Sequence, residues 1–300
     1  MIKMKNFLVL GCLLLFSFNG ISQDLPIHNN GDVDEIGSLQ CENLQANLET
    51  EIFKNKTWKN LVDRKMMSIG IVDLSNLSDI QYAGINDENM MYAASLPKIA
   101  VLLAAMDAID KGQLRNSKAI QKDMRAMISK SNNAATTRMI DRVGYEKIEE
   151  VLRMPKHKLY NEEVGGGLWV GKRYAAGGRR YPEPMKGLSH AATTKQVCSF
   201  YYQLAMGNLV NELRSEQMLN IMEKPALHHK FVNTLDKIAP NARLFRKSGS
   251  WKNFHSDSVL VWGPDRKYIL VALIDNDLGE QIIRDLVMPL EKVMKKSRTL

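Results

Sequence analysis

Apolar and polar positions follow three different rhythms along this chain, and the changes of rhythm divide it into elements. Across residues 39–61, Leu44, Leu48 and Phe53 recur at helical spacing, which predicts an amphipathic helical stretch. Residues 66–74 (MMSIGIVDL) form a short apolar run rich in β-branched side chains and predict a strand. Residues 80–84 pair with it across a turn at 76–79. From Ser95 to about Leu244 the spacing is mostly helical. Ile99, Leu102, Leu103, Met106 and Ile109 share one face of a helix that stops near Gly112, and further helices are expected over 119–128, 134–143, 146–152, 193–206 and 212–222. Strands return at 242–247, 256–262 and 268–275. The last is apolar without alternation, as befits a central strand covered on both faces. Gly263-Pro264-Asp265 makes the turn before it, and a helix over 280–294 closes the chain. Strands at both ends with helices between predict an α+β protein. Its antiparallel sheet comes from the N- and C-terminal parts of the chain, is flanked by helices, and carries an inserted all-helical lobe of about 95–240.

The first segment stands outside this pattern. Lys3 and Lys5 precede an apolar run from Phe7 to Phe18, and Asn19, Gly20, Ser22 and Gln23 follow. A basic start, twelve apolar-rich residues and small or polar flanks predict a secretory signal over 1–22, too short to span a bilayer and cut near Ser22 or Gln23. The domain proper is then 23–300, exported to the periplasm or the medium, with no stable membrane insertion after cleavage. The 300-residue chain carries 41 basic and 33 acidic side chains, a formal charge of +8. Losing Lys3 and Lys5 with the leader lowers it to +6, on a protein that meets no nucleic acid outside the cell. Cys41 and Cys198 are what remains of the cysteines, too few for a disulfide scaffold, and their spacing leaves pairing open.

Three short motifs fall at element junctions: Ser95-Leu96-Pro97-Lys98 at the start of the first long helix, Ser131-Asn132-Asn133 between two helices, and Lys247-Ser248-Gly249 at the end of a strand. Each is weak alone, but their order and placement reinforce one another. Ser95 and Lys98, three apart, are expected to share a helix face and meet, with Pro97 tolerated in the first turn. A serine hydroxyl needs a base to become a nucleophile. Lys98 serves only when neutral, which asks for a fall of ~3 pH units from its free value. Burial and a second cation, Lys247, both push that way. Ser131 is then the proton relay to a leaving nitrogen, and Asn133 the partner of a substrate amide. Lys247 and Ser248 hold a substrate carboxylate, with Gly249 beside them. The N–H groups of Ser95 and Ser250 form an oxyanion pair. Together these groups describe acyl transfer through a serine ester.

At these residues the chain resembles the penicillin-recognising serine hydrolases, the β-lactamases and D,D-peptidases, and most of all the class A β-lactamases. The resemblance runs from roughly residue 66 to 290. It implies no metal or organic cofactor and action on a β-lactam or a cell-wall peptide, with β-lactam hydrolysis foremost; separately, a monomer is expected. A D-alanyl-D-alanine carboxypeptidase or a non-hydrolytic penicillin-binding sensor is the alternative. Two departures stand out. Asn132 replaces the aspartate of S-D-N, and no E-x-x-L-N motif lies where the deacylating glutamate belongs. Glu216-Gln217-Met218-Leu219-Asn220 has that pattern but sits in a predicted helix too near Lys247. The segment expected to form the loop, 161–184, offers Glu162 and Glu163 near its start, with Glu163 placed ahead, and Glu183 near its end. Without such a base the acyl-enzyme persists.

Two other patterns lose on context. Gly166 to Lys172 (GGLWVGK) has phosphate-loop spacing, but Arg173 stands where Ser or Thr belongs and no apolar strand precedes it. The histidines, His228 and His229 among them, lack zinc spacing. Trp169, Tyr174 and Tyr181 lie among Lys172, Arg173, Arg179 and Arg180, a mixture better suited to lining the cleft than to binding nucleic acid.

Overall fold

The computed structural model describes residues 24–27 and 33–297; the expected leader, 1–22, lies outside them. Helices α1 (Glu42–Phe53) and α2 (Lys56–Asp63) replace the single expected amphipathic stretch. They are separated because the Asn55 side chain accepts from the N–H groups of Thr57 (3.0 Å) and Trp58 (3.2 Å), starting a second helix. Strands β1 (Met67–Asp73) and β2 (Gln81–Ile85) form the expected hairpin, followed by the short β3 (Met91–Tyr92). The helical region contains α3 (Lys98–Asp110), α4 (Lys118–Ser129), α5 (Asn133–Val143) and α6 (Tyr145–Arg153). Short strands β4 (Tyr160–Asn161), β5 (Gly166–Gly167), β6 (Trp169–Val170) and β7 (His190–Ala192) come next. Helices α7 (Thr194–Ala205), α8 (Glu212–Met222) and α9 (Phe231–Ile238) lead to β8 (Arg243–Trp251), β9 (Phe254–Gly263), β10 (Arg266–Asp275) and α10 (Gly279–Ser297).

The main sheet is antiparallel, in the order β2-β1-β10-β9-β8. Strand β10 is its centre, as the unalternating apolar run requires. Its residues divide by parity: Ile269, Val271 and Leu273 face the core shared with the helical region, while Tyr268, Leu270, Ala272 and Ile274 face an outer layer. That outer layer is α1, α2, α9 and α10. Helix α9 falls within the 95–240 span expected to form the inserted lobe, yet Phe231, Val232 and Leu235 pack on the outer face of the sheet. Helix α3 is buried along its whole length up to Ile109, an apolar helix at the centre of the helical region. Among the described residues no helix is long and apolar enough to cross a membrane.

Strand β8 departs from expectation at its C-terminal end. It runs on to Trp251, so Lys247-Ser248-Gly249 lies inside the strand, where Ser248 pairs with Asp257 and Gly249 with Ser256. Pairing with β9 overrides the low strand preference of Ser-Gly-Ser. This edge strand borders the turn that carries Ser95.

Candidate active site

Ser95 lies three residues before the first helical residue, not inside the helix. Between β3 and α3 the chain makes tight turns in which Leu96 N bonds Ala93 O (3.0 Å) and Lys98 N bonds Ser95 O (3.3 Å); the regular helix starts at Lys98. Ala94 has φ +50°, a left-handed conformation uncommon for a residue with a Cβ. Two side chains hold this bend by its carbonyls: the Ser256 hydroxyl donates to Ala93 O (2.8 Å), and the Tyr174 hydroxyl to Ala94 O (3.0 Å). Gly249 lets β8 approach it. A Cβ there would lie 2.5 Å from both Ala93 O and Ser95 N and 2.7 Å from the Ser256 hydroxyl. A Gly249→Ala protein must shift backbone to fit and is expected to lose about 1–3 kcal/mol of stability. Displacing Ser95 by about an ångström should cost its reactivity ~10²-fold. Thermal unfolding and the rate of serine acylation measure the two effects separately; an unchanged rate would show that Gly249 does not set the Ser95 position.

Lys98, Ser131, Asn133 and Lys247 converge as expected, but by other contacts than the spacing implied. The Lys98 ammonium, fully buried, reaches Ser131 O (2.7 Å), Ser131 Oγ (3.3 Å) and Asn133 Oδ1 (2.8 Å). No hydrogen bond joins it to the Ser95 hydroxyl, which has no side-chain partner among the described residues. Burial lowers the Lys98 pKa to about 7. Ser131 has φ +53°, and that bend aims its hydroxyl at both lysines: Lys247 Nζ lies 3.0 Å from Ser131 Oγ. Lys247 also donates to Ser248 O (2.5 Å), and burial together with the Lys98 charge pushes its pKa well down. Ser248 is buried as well, so Lys247 is turned inward onto Ser131. Asn132, the departure from S-D-N, caps α5 by accepting from Ala135 N (2.8 Å), a task aspartate does equally well. Asn133 is exposed; with Oδ1 held by Lys98, its amide N–H groups are left for a substrate carbonyl.

The loop acids are not brought to these residues. Glu163 is exposed on a single 3₁₀ turn, where its backbone N–H bonds Asn161 Oδ1 (3.0 Å). Glu162, also exposed, pairs with Arg153 at 2.7 Å. No polar contact joins either carboxylate to Ser95, Lys98, Ser131 or Lys247, so Glu163 as the deacylating base finds no support in the geometry. Glu183 is buried, but its carboxylate is occupied by the Tyr160 hydroxyl (2.9 Å) and the N–H groups of Met185 (2.8 Å) and Lys186. It pins the loop. Glu216 and Asn220 lie exposed on α8, in keeping with a chance match.

What the loop does bring to Lys98 is Tyr174, whose ring centroid lies 4.4 Å from Nζ. Burial raises the phenol pKa well above its usual value. His190 on β7 packs on Tyr174 with ring centroids 4.3 Å apart, and burial holds its pKa at about 4. Trp169 and Tyr181, grouped with Tyr174 in the sequence, stack on each other and support the loop from within. The phosphate-loop look-alike is explained by packing. A Cβ at Gly171 would lie 1.8 Å from Tyr181 O, and one at Gly167 would lie 2.2 Å from Leu159 O. Cys41 and Cys198 are unpaired.

Two features below the site left no motif in the sequence. Lys230, fully buried, donates to Gly249 O (2.5 Å), Ser250 Oγ (2.8 Å) and Ser256 O (3.1 Å), tying β8 to β9 beside Ser95. Arg246 and Asp257, buried neighbours on those strands, form a two-bond ion pair of 2.7 and 2.9 Å.

The sequence profile of the β-lactamase enzyme family matches residues 55–124 and 120–288. No curated protein sequence matches the chain. Among solved structures, a β-lactamase from Sphaerobacter thermophilus superposes with a TM-score of 0.64 at 17% identity, covering 84% of this chain and 96% of that one. PBP-A gives 0.62 at 17%, covering 86% and 97%. A β-lactamase from Chitinophaga pinensis gives 0.61 at 13%, covering 81% and 100%. At such identities the superpositions speak for the fold, the α+β sheet with its helical insertion. The family match spans most of the chain and takes in the three motifs, so the protein belongs to the β-lactamase enzyme family, within the penicillin-recognising serine hydrolases.

Proposed function

We propose that this protein is a serine amide hydrolase that opens β-lactams through an ester on Ser95. The observation that carries this reading is the buried Lys98, with a pKa near 7, held beside Ser131 and one residue triplet from Ser95. A lysine that is half neutral at physiological pH is a usable base, and a purely binding scaffold has no use for one there. In acylation the Ser95 oxygen attacks the carbonyl carbon and its proton passes to Lys98. The C–N bond then breaks, and Ser131, between the two lysines, returns a proton to the leaving nitrogen. The N–H groups of Ser95 and of Ser250, on the edge strand β8, receive the oxyanion. Asn133 donates to the substrate amide, and a substrate carboxylate arriving beside Lys247 and Ser248 offsets the burial that disfavours the Lys247 charge, so the ion pair forms on binding.

One observation favours slow breakdown of the β-lactam ester over rapid hydrolysis: neither Glu162 nor Glu163 contacts the Ser95–Lys98–Ser131 cluster. A mutant of the structurally similar PBP-A is described as an acyl-enzyme complex with penicillin G, so this fold accommodates such an ester. The test is a fluorescent penicillin. Wild-type protein should take up about one label per chain and Ser95→Ala none; equal labelling of both would remove Ser95 as the nucleophile. A chromogenic cephalosporin should then give a burst followed by slow turnover.

A further inference from the structure

Among the described residues Lys98 lies against four surfaces, and none of them presents a carboxylate. The 131–133 segment offers the uncharged Ser131 and Asn133, β8 offers the amine of Lys247, and β7 offers His190, whose own pKa the Lys98 charge helps to lower. The fourth surface is Tyr174. Its ring lies over the ammonium at 4.4 Å, its hydroxyl is anchored on Ala94 O next to Ser95, and the residue as a whole is half-buried. The ring therefore covers the Lys98 amine while its hydroxyl is tied to the backbone beside Ser95.

We propose that Tyr174 is a positioning residue that seals Lys98: its ring keeps water off the amine, preserving Lys98 as the base for Ser95 while denying the acyl-serine an activated water. This rests on the Ser95–Lys98 chemistry above and adds the reason the ester endures. Two effects of an aromatic ring on an ammonium oppose each other. Its face attracts the cation, by about 0.5–2 kcal/mol, whereas exclusion of water disfavours the charge by more when the amine is fully buried. Burial is the dominant influence on Lys98, so sealing wins. In deacylation a water oxygen must bond to the ester carbon as the bond to Ser95 breaks. Its proton must pass to a base, and the leaving Ser95 oxygen must regain one. With Lys98 sealed and no carboxylate at hand, the first proton has no acceptor.

The test is the pH profile of labelling by a fluorescent penicillin, together with the rate of label loss, for wild type, Tyr174→Phe, Tyr174→Ala and Tyr174→Gln. Wild type should show a labelling midpoint near pH 7, and Tyr174→Phe, which keeps the ring, should keep that midpoint. Tyr174→Ala and Tyr174→Gln, which admit water, should move it up by at least about one unit and shed label at least about fivefold faster at alkaline pH. A folded Ala or Gln variant with the wild-type midpoint and label lifetime would overturn the proposal. So would a Phe variant shifted as far as Ala, or a wild-type midpoint above about pH 9, which needs no variant to fold. Absence of labelling in wild type, or labelling of Ser95→Ala, would instead sink the serine chemistry itself.

Discussion

A Lys98→Met protein is expected to acylate at least ~10³-fold more slowly than wild type, within the range by which a positioned general base accelerates proton transfer. Methionine fills nearly the same buried volume, so packing around α3 is kept and the loss reports on the amine. The two acceptors it leaves, Ser131 O and Asn133 Oδ1, should cost a further ~1–3 kcal/mol of stability, read separately by thermal unfolding. The pH dependence fixes the sign. With its pKa near 7, Lys98 is protonated and idle below that value, so wild-type acylation should rise about tenfold per pH unit up to 7 and level off above it. In the Met protein the residual rate should lose that limb. A Met protein that keeps both the rate and the limb would assign the base elsewhere, with Lys247 the next candidate.

The sequence carries this site unevenly. Lys98 and Lys247 were legible because serine–lysine chemistry requires those residue types in short, ordered motifs, and a strand-helix-strand pattern places the motifs at one seam. The spacing of Ser95 and Lys98 did not reveal which atoms meet. Lys98 bonds the 131–133 segment instead, because Ser131 takes a left-handed bend that leaves no trace in hydrophobic periodicity. Acids in a polar loop look alike, yet Glu162 and Glu163 are solvated while Glu183 is buried under backbone N–H groups. Tyr174 was grouped with the cleft-lining aromatics, but its contact with Lys98 spans 76 positions and depends on the fold of the whole loop. Strands of two or three residues such as β3 and β7 are too short for alternation to register, although they frame the Ser95 turn. Lys230, Arg246 and Asp257 carry no signal in the sequence, since no pattern marks a charge that is buried and held by partners.

Replacing Asp257 by alanine is expected to destabilise the protein by about 3–5 kcal/mol, more than any single change at the catalytic cluster, because it strands the buried Arg246 guanidinium. That pair does more than neutralise charge. Arg246 also donates to Leu227 O (2.7 Å) and His229 O (3.1 Å), while Asp257 accepts from Phe231 N (3.1 Å). The 227–231 segment is thus clamped onto β8 and β9 from both sides. Lys230, inside that segment with φ +57°, is thereby aimed at Gly249 O and Ser250 Oγ. Losing the clamp should loosen the strand that faces Ser95, so acylation should fall along with stability. The double replacement Arg246→Met with Asp257→Leu separates these roles. It removes both charges, so stability should recover to within ~2 kcal/mol of wild type. Acylation should stay depressed, because an apolar pair cannot hold the carbonyls of Leu227 and His229. Urea unfolding of the single and double variants, with penicillin labelling of each, decides the matter. A single Asp257→Ala change costing under about 1 kcal/mol would mean that water, not Asp257, satisfies the buried guanidinium.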